Sequence, residues 1–130
     1  MLSIPFVLFC LFVTAEMEDE DEEIAIETGG WVRQSQFQPH VRELAKGSVE
    51  EFNKRINSKF YFVFAGVLNA KSRVTVGVEW ALKIRYQMSD CKKGIATDIS
   101  KCEPKEGGTS KYVIVYALEI PGEDKVAYQF

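Results

Sequence analysis

The chain has 130 residues, with 16 Lys and Arg, 19 Asp and Glu and a single His, for a formal net charge of −3. That length supports one domain. One His and three Cys are a poor ligand supply for a metal, and no basic run is longer than a pair such as Lys92-Lys93, too little for a nucleic-acid footprint.

The first segment, Met1 to Ala15, has no charged side chain, an apolar run from Leu2 to Val13, and a small-residue end at Val13-Thr14-Ala15. It is too short to span a bilayer and reads as a secretory leader, which makes the mature chain extracellular with no membrane attachment. An acidic segment follows, residues 16–28, opening with Glu16-Met17-Glu18-Asp19-Glu20-Asp21-Glu22-Glu23. It has no hydrophobic period, repels itself and reads as a disordered, solvated arm. It also masks the charge of the rest: with eight of the 19 acids between Glu16 and Glu27, residues 28–130 hold 16 bases against 11 acids. Whether the arm folds back on that basic domain would show in the salt dependence of deleting it.

From Gly29-Gly30-Trp31 the chain enters a short extended segment. Pro39 to Asn57 then carries Val41, Leu44, Ala45, Val49, Phe52 and Ile56 at steps of three or four, one long amphipathic helix. Pro39 suits its first position. Gly47 costs about 1 kcal/mol relative to Ala in mid-helix, and Ser48 with Glu51 forms a capping-box pattern that would restart the helix after a kink. Lys59 to Lys71 is aromatic and β-branched, a strand with a bulge at Gly66. Lys71-Ser72-Arg73 reads as the connection to a second strand. That strand alternates strictly from Val74 through Trp80, Leu82, Ile84 and Tyr86 to Met88.

Ser89 to Ser110 is a long connection. Cys10 leaves with the leader, so Cys91 and Cys102 remain as an even pair in a secreted chain and read as one disulfide. Tyr112 to Ile120 alternates again, Pro121-Gly122-Glu123-Asp124 is a turn, and Val126, Tyr128 and Phe130 form a last strand. The fold class is α+β: one long helix wrapped by an antiparallel sheet of four or five strands.

This order resembles the cystatins in their secreted type 2 form, over residues 29–130. "GVEWALKIR" is similar to the family's run after its first hairpin loop, "VRELAKGSVEEFNKRIN" to its helix and "VYALE" to its penultimate strand, and the spacing of Cys91 and Cys102 is close to its first disulfide. The resemblance implies a cystatin-like domain that reversibly inhibits papain-like, cathepsin-type cysteine proteases, without catalysis or cofactor. Three elements would form a wedge for the enzyme's cleft: Gly29 and Gly30; the first loop Arg73, Val74, Thr75, Val76 and Gly77; and the second hairpin, Glu119, Ile120, Pro121 and Gly122. It also implies a monomer able to exchange strands into a dimer through the first hairpin, where the β-branched Thr75 would store strain at the tip.

The chain departs from the family pattern at each wedge element. Arg73 stands in place of Gln, and as a long cation in a cleft it would need a counter-charge or an escape to solvent. No Trp follows Trp80, so the second hairpin lacks its Pro-Trp pair, and Glu27-Thr28 precede Gly29 where the family favours apolar residues. Lys111 occupies about the position of the first cysteine of the family's second disulfide. These departures leave open an alternative: a non-inhibitory cystatin fold acting on another protease, on a receptor or by self-association. Some type 2 cystatins inhibit legumain through an Asn after the helix. Asn57 matches it, but a plain helix end in the left-handed region is the favoured reading. An enzyme built on Cys91 and His40 is disfavoured by the disulfide reading.

Overall fold

A computed structural model describes residues 30–95 and 98–130. The expected leader 1–15 and acidic segment 16–28, and Gly29 with them, lie outside the described residues. The elements are β1 (Val32–Gln34), α1 (Pro39–Gly47), α2 (Val49–Arg55), β2 (Phe60–Val74), β3 (Val78–Lys92), a short 3₁₀ turn at Ile99–Lys101, β4 (Ser110–Glu119) and β5 (Ala127–Gln129). All five strands form one antiparallel sheet in sequential order. Among the described residues, no helix is long and apolar enough to cross a membrane.

The helical stripe buries Val41, Leu44, Ala45 and Phe52 against Phe62, Ala70, Leu82, Ile84, Tyr86, Val115 and Ala117 of the sheet. The alternation of β3 sets this face: Trp80, Leu82, Ile84 and Tyr86 are buried, while Lys83 points the other way and is exposed. Phe52 stacks on Tyr86 at 4.0 Å and meets Phe62 edge-on. Acids open α2 (Glu50, Glu51) and bases close it (Lys54, Arg55), matching the helix dipole. The expected bulge is present: pairing of β2 with β3 slips between Phe64 and Gly66, and Gly66 takes φ +149°.

Three expectations are corrected. The helix is interrupted at Ser48, yet no capping box restarts it, because the Ser48 side chain makes no cap bond. Its hydroxyl donates to Ala45 O at 2.7 Å and meets the buried Tyr86 hydroxyl at 2.6 Å. The one Ser48 proton is committed to Ala45, so Tyr86 donates to Ser48. Gly47 leaves the space that the Tyr128 hydroxyl needs to reach Leu44 O at 2.8 Å; a Cβ there would lie 2.5 Å from the Tyr128 hydroxyl oxygen.

Second, Lys71-Ser72-Arg73 is strand, not turn. Ser72 pairs across to Val32 and Trp80, is buried, and accepts from Gln34 Nε2 at 2.9 Å. The tip lies at Thr75–Gly77, closed by Thr75 N donating to Gly77 O at 2.8 Å. β3 accordingly starts at Val78, and Val74 and Val76 stand in solvent at 84% and 76% exposure. Third, neither Thr75 nor Asn57 is left-handed: among the described residues no non-glycine has positive φ. Thr75 therefore stores no strain of that kind, and Asn57 is not an αL helix end.

The disulfide joins Cys91 to Cys102 with Cα atoms 6.0 Å apart. It ties the end of β3 to the 3₁₀ turn, and Ser89 bridges to Pro104 behind it. Buried Asn53, which falls off the apolar stripe, staples α2 to β2 by accepting from Phe62 N (2.7 Å) and donating to Phe62 O (2.9 Å).

Candidate functional site

The β2–β3 tip and the β4–β5 turn lie side by side at one end of the sheet. Val78 pairs with Glu119, so the residues just outside that pair, Gly77 and Ile120, are pressed together. A Cβ on Gly77 would lie 2.0 Å from Glu119 O and 3.0 Å from Ile120 Cα. Here glycine is required by close approach of two backbones.

Glu119 joins the two loops to the helix. Its Oε1 accepts from Trp80 Nε1 at 2.8 Å and lies 2.9 Å from His40 Nε2, at the start of α1. His40 in turn meets the Trp80 ring edge-on at 5.6 Å. The Glu119 side chain is thus turned inward as an anchor. Ile120 is half-buried beside it, and Pro121 and Gly122 are exposed in the turn, with Gly122 at φ +87°.

Arg73 is held back from the tip. Its guanidinium stacks 4.4 Å over the Trp31 ring and Nε donates to Glu79 Oε1 at 2.8 Å. The counter-charge that Arg73 called for is therefore supplied across its own hairpin. Trp31 places Gly30, exposed at φ +81°, at the same end of the sheet, since its neighbour Val32 pairs with Ser72. The structure so brings together Gly30, Arg73 to Gly77 and Glu119 to Gly122.

Asn57 lies apart. It follows α2 and precedes β2, at the opposite end of that 15-residue strand from Val74. It is exposed on a braced loop: Lys93 Nζ donates to Asn53 O (2.7 Å) and Ile56 O (2.9 Å), capping the last turn of α2. Cys91 is bonded to Cys102 and His40 to Glu119, so the imagined Cys91–His40 nucleophile pair is not assembled. Among the described residues, no group of three or more His, Cys, Asp and Glu could hold a metal.

Sequence reasoning missed His40, Trp80 and Trp31 as positioning residues. Each acts through a partner 39 to 79 positions away or on another strand, and no local pattern records that.

A family model described as the cystatin domain matches residues 29–115. The chain belongs to the cystatin family. It is 26% identical over 98 residues to cystatin cpi-2 of Brugia malayi, covering 74% of this chain and 61% of that protein, so it spans less than two thirds of that relative's length. Among solved structures it is similar to Al-CPI, with TM-score 0.69, 25% identity, and 78% and 94% of the two chains covered. A salivary cystatin from the soft tick Ornithodoros moubata matches with TM-score 0.66 and 22% identity, over 80% of this chain and 95% of the other. Dimeric human cystatin F matches with TM-score 0.65 and 20% identity, over 85% and 90%. One helical segment on a five-stranded antiparallel sheet is the cystatin fold, as the resemblance implied.

Proposed function

We propose that this cystatin is a secreted, reversible inhibitor of papain-like, cathepsin-type cysteine proteases. Gly29 and Gly30, the tip Arg73 to Gly77, and the turn Glu119 to Gly122 would fill the enzyme's cleft. The observation that carries the reading is the tip: two valines, 84% and 76% exposed, are held on a hairpin locked against the neighbouring turn. Exposed apolar side chains on a braced edge favour burial against an apolar cleft, and no covalent step is needed. Arg73 does not enter the cleft bare on this reading, because Glu79 and Trp31 retain it. Family membership supports the target class, and the disulfide supports an oxidising, extracellular setting. The test is a titration of papain and cathepsin L with the disulfide-bonded chain: competitive inhibition without cleavage is expected. A folded chain that leaves both enzymes untouched at high micromolar concentration would overturn the proposal.

A second reading, legumain inhibition through Asn57, is favoured by its exposure on a loop that Lys93 and Ser58 hold in place. Because Asn57 and the tip sit at opposite ends of β2, Asn57→Ala should abolish legumain inhibition and leave papain inhibition unchanged; loss of both, or of neither, would refute it. Strand exchange through the β2–β3 hairpin would give a dimer on mild heating, and size-exclusion showing monomer alone would exclude it.

A further inference from the structure

The sheet has a second face, turned away from the helix, and its chemistry is uneven. The strand register fixes which residues share it. Trp31 and Arg33 come from β1 and the residue before it, Asn69, Lys71 and Arg73 from β2, Glu79 to Gln87 at alternate positions from β3, and Ser110 to Leu118 likewise from β4. In these rows the bases are Arg33, Lys71, Arg73, Lys83 and Arg85, and the one carboxylate, Glu79, is already engaged by Arg73. Arg85 is held by the neutral side chains of Ser110 and Gln87. Beside the bases runs an exposed apolar row: Tyr112 at 56%, Ile114 at 53% and Tyr116 at 40%.

Between the two rows lies an open groove of about 320 Å³ lined by Trp31, Lys71, Ala81, Lys83, Ile114 and Tyr116. Ala81, flanked by Lys71 and Tyr116 in the register, is its small-residue floor. Trp31 reaches across to Tyr116, with ring centroids 6.3 Å apart. The described chain therefore enters the sheet, through Gly30 and Trp31, beside this groove.

We propose that the occupant of the groove is the chain's own acidic segment, residues 16–27. Charge complementarity carries the assignment: that segment holds eight carboxylates and no base. It also holds Ile24 and Ile26, apolar side chains that suit the Tyr112–Tyr116 row. Reach permits it. Glu16 lies fifteen residues before Trp31, roughly 50 Å at full extension, whereas the basic rows from Glu79 to Gln87 extend about 27 Å. A second copy presenting the same face would bring like charge against it. Tethering makes the docking intramolecular, so pairs that are individually weak act at a high effective concentration.

The test uses the chain beginning at Glu16, which keeps the whole segment and the whole described core, Val41 to Phe130. A nitroxide on Glu20→Cys should broaden the amide signals of Lys83, Ile114 and Tyr116. The broadening should vanish in 1 M salt, where the screening length falls from ~10 Å at 0.1 M to about 3 Å. It should vanish equally in Lys83→Glu with Arg85→Glu. If that variant unfolds, neutralising Asp19, Asp21, Glu22 and Glu23 to their amides in the labelled chain asks the same question without touching the domain. Broadening confined to residues 30–34 would overturn the proposal. So would broadening unchanged by either charge variant. Transfer between labelled and isotope-enriched chains on mixing would assign the groove to another molecule's segment and overturn it too.

Discussion

Replacing Gly77 with alanine tests whether the two hairpin loops work as one rigid edge. The added Cβ would stand 2.0 Å from Glu119 O, 2.9 Å from Glu119 C and 3.0 Å from Ile120 Cα, where real Cβ contacts essentially never fall below 3.0 Å. All three neighbours are backbone, so no side chain can swing aside. The tip must move at least about 1 Å from the β4–β5 turn, or the Val78–Glu119 pairing must open. Overpacking of this kind costs about 1–3 kcal/mol. For a domain of this size each kcal/mol lowers Tm by roughly 4–8 °C.

Positive φ is not involved at Gly77, so the effect is steric alone. A 1 Å displacement of a contact edge is enough to spoil complementarity, and inhibition of papain should weaken by about ten- to a hundredfold, or 1.4–2.8 kcal/mol. The assay pairs thermal unfolding with inhibitor titration on the same sample. Unchanged Tm with unchanged inhibition would refute the close packing of the loops. A lowered Tm with full inhibition would show that the loops bind independently, and the rigid-edge argument would fail.

Ser48→Ala removes the partner of the buried Tyr86 hydroxyl, and chemical denaturation should show a loss of about 1–3 kcal/mol. Burial pushes the Tyr86 phenol up to about 12 from an ordinary value of 10.0. Its contribution is therefore complete below pH 10 and is lost as pH rises from 10 toward 12, amounting to roughly 2–3 kcal/mol. Tyr128 is raised too, by burial and then by the charge of Glu119, so Tyr86→Phe should flatten the alkaline loss of stability only in part. Reducing the Cys91–Cys102 bond, with 11 residues of separation, should cost about 3 kcal/mol in denaturant unfolding, and Cys91→Ser with Cys102→Ser should match the reduced wild type.

Much of the fold could be read from the sequence because it rests on local periodicity. The two-residue beat from Val78 to Met88 and the stripe from Val41 to Ile56 each bury one face, whatever the partner. The failures share one cause, which is that a polar residue's role depends on what lies across from it. Lys71-Ser72-Arg73 has the composition of a turn, yet Gln34, Trp31 and Glu79 make those residues strand. Ser48 fits a capping box, but a buried phenol on β3 claims its hydroxyl. Glu119 reads as part of the second hairpin, and nothing local to it announces the Trp80 and His40 side chains that engage its carboxylate. The wedge residues were named by resemblance. The convergence of Gly30, the first tip and the second turn at one end of the sheet depends on register, which no single segment encodes.

The second hairpin lacks a tryptophan, and an aromatic anchor can be worth a few kcal/mol at an interface. The first hairpin must then carry a larger share of any binding, and the structure gives it the means. Val74 and Val76 are 84% and 76% exposed, and fully burying a valine is worth at least about 1.5 kcal/mol, so the pair offers about 3 kcal/mol or more. Ile120 is already half-buried and has less to gain. Val76→Ala removes two methyl groups from the tip, which should weaken inhibition by about 1.5 kcal/mol, roughly tenfold, without changing Tm. Ile120→Ala should weaken it less while lowering Tm, because part of that side chain is already covered in the free domain. Inhibition constants for the two variants against papain decide the point. If Ile120→Ala proves the more damaging to binding, the second turn carries the contact even without an aromatic residue, and the share assigned to the valines is wrong.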